Sequence, residues 1–322
     1  MKFNSEKIFS EVIAGRTPVD LAGRPAFFRH LTPQNRGDSS YYYERVIAQC
    51  EGMGIATREK RLEEVKAAGT WTEEHEGAYL NAQSYLDNLN STVKTLALPS
   101  QVAQMKEQIE QAKEKFREVS SNRAAAIGIT AEQFADKKAN EKFIFDNLYA
   151  DSCCSASLFS PDEYDELEES DIGKVVTEIN VIVAAYSDSY LKKAALSRLV
   201  QDLIQISDGD AMRFYGVPAI KLTYYQIELL NYGKWFQSIL ADPKKKPPAH
   251  MMDNPDALIE WSTGQKNAAS ILNAPGQNVA IVGATPEDLK AIAGDSAVSM
   301  DSLIKKSGKQ RGANLAKMLG HN

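Results

Sequence analysis

The stretch 79–119, YLNAQSYLDNLNSTVKTLALPSQVAQMKEQIEQAKEKFREV, decides the fold. Its apolar positions run Tyr79, Ala82, Leu86, Leu89, Val93 and Leu96, then Val102, Met105, Ile109, Ala112, Phe116 and Val119. Both series step by three and four residues in alternation, which is the spacing of a heptad seam. Gln, Glu, Lys, Asn and Asp fill the positions between, as a solvated face requires. Leu98-Pro99-Ser100-Gln101 separates the two series. Proline disfavours helix in the residue before it and is welcome at a helix start, so this is a turn. Two helices of about 25 residues each, joined that way, fold back antiparallel into an arm of about 35–40 Å. Thr72 is placed to cap the first helix and Gly128 to stop the second. Two helices inside an ordinary bundle would carry the same pattern; a protruding or edge-mounted coiled-coil hairpin is the reading carried forward.

Outward from the hairpin, helical signals dominate. Apolar residues at helical spacing predict helices at about 41–52 (Tyr42, Val46, Ile47) and 58–68 (Leu62, Val65). Thr130-Ala131-Glu132-Gln133, Ser160-Pro161-Asp162-Glu163 and Thr223-Tyr224-Tyr225-Gln226 are capping boxes. In each, the cap side chain and the third helical residue satisfy free backbone N–H groups of the first turn. Residues 172–206 read as one or two core helices, and Leu229, Leu230, Trp235, Phe236 and Ile239 mark another buried face. The fold class expected is all-α: a helical bundle with the antiparallel hairpin and irregular arms at both ends.

Four segments follow from this reading. Residues 1–40 form an N-terminal arm with one short helix (Ile8, Phe9, Val12, Ile13), and the pair Phe27-Phe28 must dock in cis or on a partner. Residues 41–128 hold helices and the hairpin, and 129–241 a helical core domain. Residues 242–322 begin with a basic, proline-rich linker, Asp242 to Pro248, and continue through a short helix around 256–261. The chain ends in a tail whose Lys305, Lys306, Lys309 and Arg311 could touch an acidic partner.

Composition bounds the function classes. Of 322 residues, 43% are hydrophobic and 25% charged, as in ordinary globular chains, and the net charge of −6 disfavours whole-chain attraction to nucleic acid or anionic membrane. The longest apolar runs fall short of a membrane span, and the first residues lack the apolar core of a secretion signal, so an intracellular protein is expected. Cys50, Cys153 and Cys154 have no second Cys/His pair at zinc spacing and read as buried free thiols. The histidines at 30, 75, 250 and 321 are scattered.

Local catalytic signatures are missing. Asn278–Ala284 resembles a strand entering a nucleotide loop, yet lacks the spaced glycines and the Lys-Ser/Thr that phosphate binding needs. Thr285-Pro286-Glu287-Asp288 after it reads as a helix start. The run Asp162, Glu163, Asp165, Glu166, Glu168, Glu169, Asp171 holds seven carboxylates and no base, which fits a solvated helix start better than a metal site. The expectation is a non-enzyme with no cofactor and no metal.

Several of these stretches resemble proteins of large tailed bacteriophages. They are Thr57-Arg58-Glu59, Gly69–Glu74, the hairpin with its Leu98–Gln101 turn, Gly128–Glu132, Phe159–Tyr164, Leu222–Gln226, Tyr232-Gly233-Lys234 and Asn254–Leu258. The stretch Phe159–Tyr164 is similar to a motif of phage tail assembly chaperones. The resemblance spans about residues 57–260. It implies a helical, non-enzymatic morphogenesis protein in the host cytoplasm, binding tape-measure or tube proteins while they assemble. A virion subunit of baseplate, neck or tail, with self-association, is the alternative, and a nucleic-acid factor using the basic tail is the second alternative.

Overall fold

The computed structural model describes residues 5–21, 23–242 and 246–272, together with Thr285 and Asp288. Along the chain come α1 (Ser5–Ala14), β1 (Arg16–Leu21), β2 (Arg24–Arg29), α2 (Pro33–Gly52), α3 (Arg58–Ala67), α4 (Glu73–Val93), α5 (Pro99–Ile127) and α6 (Ala131–Asp146). They are followed by β3 (Leu148–Tyr149), α7 (Pro161–Asp165), α8 (Glu169–Ala184), α9 (Asp188–Leu196), α10 (Arg198–Ile206), α11 (Ala211–Tyr215), α12 (Tyr224–Leu240) and α13 (Pro255–Leu272). The fold is predominantly α-helical, with one small sheet of order β1-β2-β3 among the described residues. No helix among them is long and apolar enough to cross a membrane.

Contacts divide the chain into two compact units, Met1–Glu73 with Ala124–Ile259, and Glu74–Arg123 with Glu260–Asn322. The boundaries differ from the four expected segments because contacts join residues far apart in sequence. The first seventy residues belong to the same unit as the central helices, and the two heptad helices belong to the other.

In the larger unit the short helix expected at Ile8–Ile13 forms as α1, while the rest of the expected irregular arm is instead a β-hairpin and the first turns of α2. The hairpin follows from alternation: in β1 Thr17, Val19 and Leu21 point inward while Arg16, Pro18 and Asp20 face out. β2 pairs with it antiparallel, Phe28 opposite Thr17 and Ala26 opposite Val19. Gly23, at φ +85°, takes the left-handed backbone the tight connection needs. Val19, Leu21, Ala26 and Phe28 then pack on Ile144 and Phe145 of α6, Leu148, Leu158, and Ile172 and Ile179 of α8, forming the unit's main core. α2 begins at Pro33, eight residues earlier than apolar spacing indicated, because Thr32 and Asn35 form a capping box. Its face bearing Val46 and Cys50 packs on Ala131 and Ala135 of α6, whose methyl side chains let the helices close together.

The capping boxes at Thr130, Ser160 and Thr223 all form. Residues 172–206 hold three helical segments rather than one or two, broken at Tyr186-Ser187 and at Ser197. α12 lies so close to α10 that a Cβ on Gly233 would stand 2.0 Å from the Ile204 side chain, which itself is fully buried.

The smaller unit contains most of α4 and α5, the C-terminal part of α13, and Thr285 and Asp288. Asn267 of α13 donates from its Nδ2 to the carbonyls of Lys94 and Leu96 (2.9 Å each), holding the turn between the two long helices. Asp288 accepts from the Ser100 backbone N–H (3.0 Å) and hydroxyl (2.6 Å), a carboxylate at the positive end of α5. Burial pushes the Asp288 carboxyl up, but hydrogen bonds from Ser100 and Thr285 outweigh it and hold the pKa at about 2. Thr285 and Asp288 also bond reciprocally, N–H to side chain in both directions, as a helix start does.

Candidate protein-interaction surface

Heptad positions in the smaller unit are the ones removed from water. Ala82, Leu89, Ile109 and Ala112 are buried, and Tyr79, Leu86, Val93, Leu96, Val102, Met105, Phe116 and Val119 are half-buried, while most residues between them are exposed. Leu89, Ile109 and Ala112 form a cluster flanked by Leu86, Val93 and Met105. Further along, the rings of Tyr79 and Phe116 lie 5.6 Å apart. Arg123 then grips Glu76 with two hydrogen bonds of 2.9 Å and lies over the Tyr79 ring at 4.6 Å. As numbering rises along α4 through these contacts, it falls along α5. The Glu76 hydrogen bond raises the Arg123 pKa, so the guanidinium stays charged where the seam is only one side chain deep.

Beside the seam runs a groove of about 600 Å³, bounded by Ala78, Asn81, Ala82 and Tyr85 on α4 and by Gln108, Gln111, Ala112, Lys115 and Val119 on α5. Its floor is shallow because Ala82 and Ala112 are the smallest residues of the two series. Tyr85 stands at its edge and, like Leu80, is more than half exposed. An apolar floor with a polar rim on two helices can take a third amphipathic helix, which would extend the same heptad packing.

Of the other residues singled out in the sequence, Phe28 is a correction. It is 2% exposed within the main core, because the alternation of β2 turns it inward, so it docks in cis and offers no partner contact. Phe27 is on the opposite face of the strand and half-buried. Lys305, Lys306, Lys309 and Arg311, and the segment 278–284, lie outside the described residues.

The larger unit holds a polar cluster that sequence reasoning did not find. Glu11 of α1, Thr17 of β1, His30 after β2 and Tyr186 between α8 and α9 are all buried. Tyr186 donates to the Glu11 carboxylate, which leaves its oxygen to accept from the Thr17 hydroxyl. Thr17 has then spent its single proton, so His30 Nε2 must be the N–H that donates to it at 2.8 Å. The four groups form a one-way chain of donors ending on a carboxylate. His30 is also wedged between the Tyr186 and Tyr225 rings, with centroids 5.0 and 5.1 Å away, and its Nδ1 has no partner among the described residues. Burial lowers the His30 pKa to about 4 and, as the first cause, raises that of Tyr186. These side chains pin α1, the hairpin and the α8–α9 link together in a dry interior. The signal for the cluster was the alternation of Arg16–Leu21, which places Thr17 inward.

The acidic run behaves as solvated surface: Glu169 pairs with Lys137 (2.7 Å) and Asp171 with Lys174 (2.6 Å). No group of three or more His, Cys, Asp or Glu side chains able to hold a metal occurs among the described residues. Buried free thiol describes Cys50 alone; Cys153 is exposed and Cys154 intermediate. Both sit on a tight loop whose backbone N–H groups at Cys153, Ser155 and Ala156 converge on the Asp151 carboxylate, and this loop has no core side to turn toward.

Comparison of the chain with protein-family models, with curated proteins and with solved structures gave no match.

Proposed function

We propose that the chain is a non-enzymatic bacteriophage morphogenesis protein, an assembly chaperone or scaffold that binds helical segments of tail proteins such as the tape measure while the tail is built. The reading is supported by the stretches that resemble proteins of large tailed bacteriophages, and by Phe159–Tyr164, which is similar to a motif of tail assembly chaperones. The observation that carries it is the open groove along α4 and α5, with alanines on its floor and Tyr85 at its edge. A helix laid there would complete a three-helix seam, and helix-in-groove binding suits a protein that holds partners transiently. A virion subunit is the second reading, since the same groove can be filled permanently by a neighbouring subunit.

Affinity purification of the tagged chain from phage-producing cells, with mass spectrometry of its companions and of finished particles, tests both. The chaperone reading expects tail proteins among the companions and little of the chain in particles. Stoichiometric presence in particles transfers the assignment to a structural subunit, and absence of tail proteins from the companions overturns both readings.

A further inference from the structure

The outward face of the small sheet carries a charge arrangement that the fold does not need. Arg16 of β1 and Arg29 of β2 are directly opposite each other. The His30 N–H bonds to the Gly15 carbonyl, so the 15/30 pair is hydrogen-bonded and the next pair, 16/29, is not. Pairs of that kind bring Cα atoms to about 4.5 Å and side chains to their closest approach. Like charges so placed are destabilising. Neither guanidinium is in an ion pair with a described residue. Arg29 uses Nε on the Asn147 side chain (3.3 Å) and stacks on Tyr149, and Arg16 reaches only the Ala14 carbonyl (3.3 Å).

Two acids on the hairpin and the loop after β3 are already committed. Asp151 is closed upon the backbone of its own loop, and Asp20, four residues along β1, accepts from the Gly23 N–H. Half-buried Phe27 and Tyr149 lie opposite each other on the same outward face. The free edge of β1 is blunted by Pro18, which presents no N–H there, so an added strand would lack a donor. The face, not the edge, is what a partner can use.

We infer that this face is a docking surface for an acidic segment of a protein partner, with carboxylates bridging Arg16 and Arg29 and an apolar or aromatic side chain resting on Phe27 and Tyr149. A guanidinium binds a carboxylate as a two-pronged fork, so one acidic segment laid across the face can engage both arginines. A protein segment fits better than nucleic acid. A phosphate polymer running across the unit would meet the exposed carboxylates of 162–169, one of which, Glu163, lies close enough to feel Arg24 at the far end of the hairpin. This inference stands independently of the tail-assembly reading and would survive its failure.

The test is fluorescence anisotropy on the full chain with a labelled synthetic peptide of sequence GEEYDEEG, acidic with one aromatic residue, at low and at physiological salt. Binding should weaken with salt and fall at least about tenfold in an Arg16→Gln/Arg29→Gln chain. It should be kept in a control Arg213→Gln/Lys221→Gln chain, which loses the same charge from exposed positions elsewhere. The Arg16→Gln/Arg29→Gln chain should keep the parent's circular dichroism and a cooperative melt, so that the loss of binding reports the face and not the fold. Equal loss in the control chain, no peptide binding, or binding of a single-stranded oligonucleotide in place of the peptide each overturns the assignment.

Discussion

The two units bury their side chains by different logic. In the pair α4–α5, each helix offers one stripe, and the result is a core one side chain thick in which Leu89, Ile109 and Ala112 are the most enclosed members. In the larger unit, strands and helices from residues 19 to 179 converge on one cluster, and beside it a histidine, a threonine, a tyrosine and a glutamate are sealed from water as well. A stripe has room for a buried polar pair only toward one end, where Glu76 meets Arg123. A core of several layers has room for polar groups, provided that each finds a partner.

The sharpest way to break the comparison is to charge the stripe. Leu89→Asp with Ile109→Asp removes both central aliphatics and buries two carboxylates without partners. At about 2–5 kcal/mol for each aliphatic lost, helical circular dichroism should fall and the melt should broaden or drop. Unchanged ellipticity would mean that these residues do not close the seam. Phe28→Ala is the corresponding cut in the larger unit and should cost about 3–5 kcal/mol in chemical denaturation, since the ring fills the main core. Were Phe28 a partner contact, stability would stay and only binding would change.

Acid should separate the units next. His30 is neutral when folded down to pH about 4 but takes up a proton near 6.5 when unfolded, so the unfolded chain binds more protons between those values. Stability of the larger unit is therefore full above about pH 6.5 and is lost as pH falls toward 4. The loss reaches about 3 kcal/mol at 1.36 kcal/mol per pH unit. Denaturant midpoints measured across that window should slope in the parent and flatten in a His30→Gln chain, which keeps a donor toward Thr17. The smallest expected effect lies on α5: Arg117→Ala breaks an exposed pair with Glu114 and should shift stability by less than about 0.5 kcal/mol, within the error of a melt.

What could be read from the sequence follows the same division. The helices α4 and α5 were legible because their apolar positions recur at fixed spacing inside forty residues. Thr130, Ser160 and Thr223 were legible because a cap and its reciprocal partner lie three residues apart. Thr32 was missed because Asn35, not Glu or Gln, closes its box. The β-hairpin was missed because its strands are short and punctuated by Pro18, Asp20 and Pro25, residues that suggest a loop when the inward Val19, Leu21, Ala26 and Phe28 are not read as two alternating sets. The polar cluster showed locally only in the alternation that turns Thr17 inward, and nothing in the sequence joined Glu11, His30 and Tyr186 to it. Glu11, Thr17, His30 and Tyr186 meet only after the sheet and three helices have been assembled.

The span between Thr17 and Tyr186 also has a consequence in time. On the ribosome, α4 and α5 can pair as soon as both have emerged, whereas α1 and the hairpin leave the exit tunnel long before Ile144, Ile179 and Tyr186 exist. At about 5–20 residues per second, the wait is on the order of ten seconds. Through that interval Phe28, Val19 and Leu21 have nothing of their own to cover them, so the nascent N-terminus is where a ribosome-bound holdase would find its grip and where truncated translation products would clump.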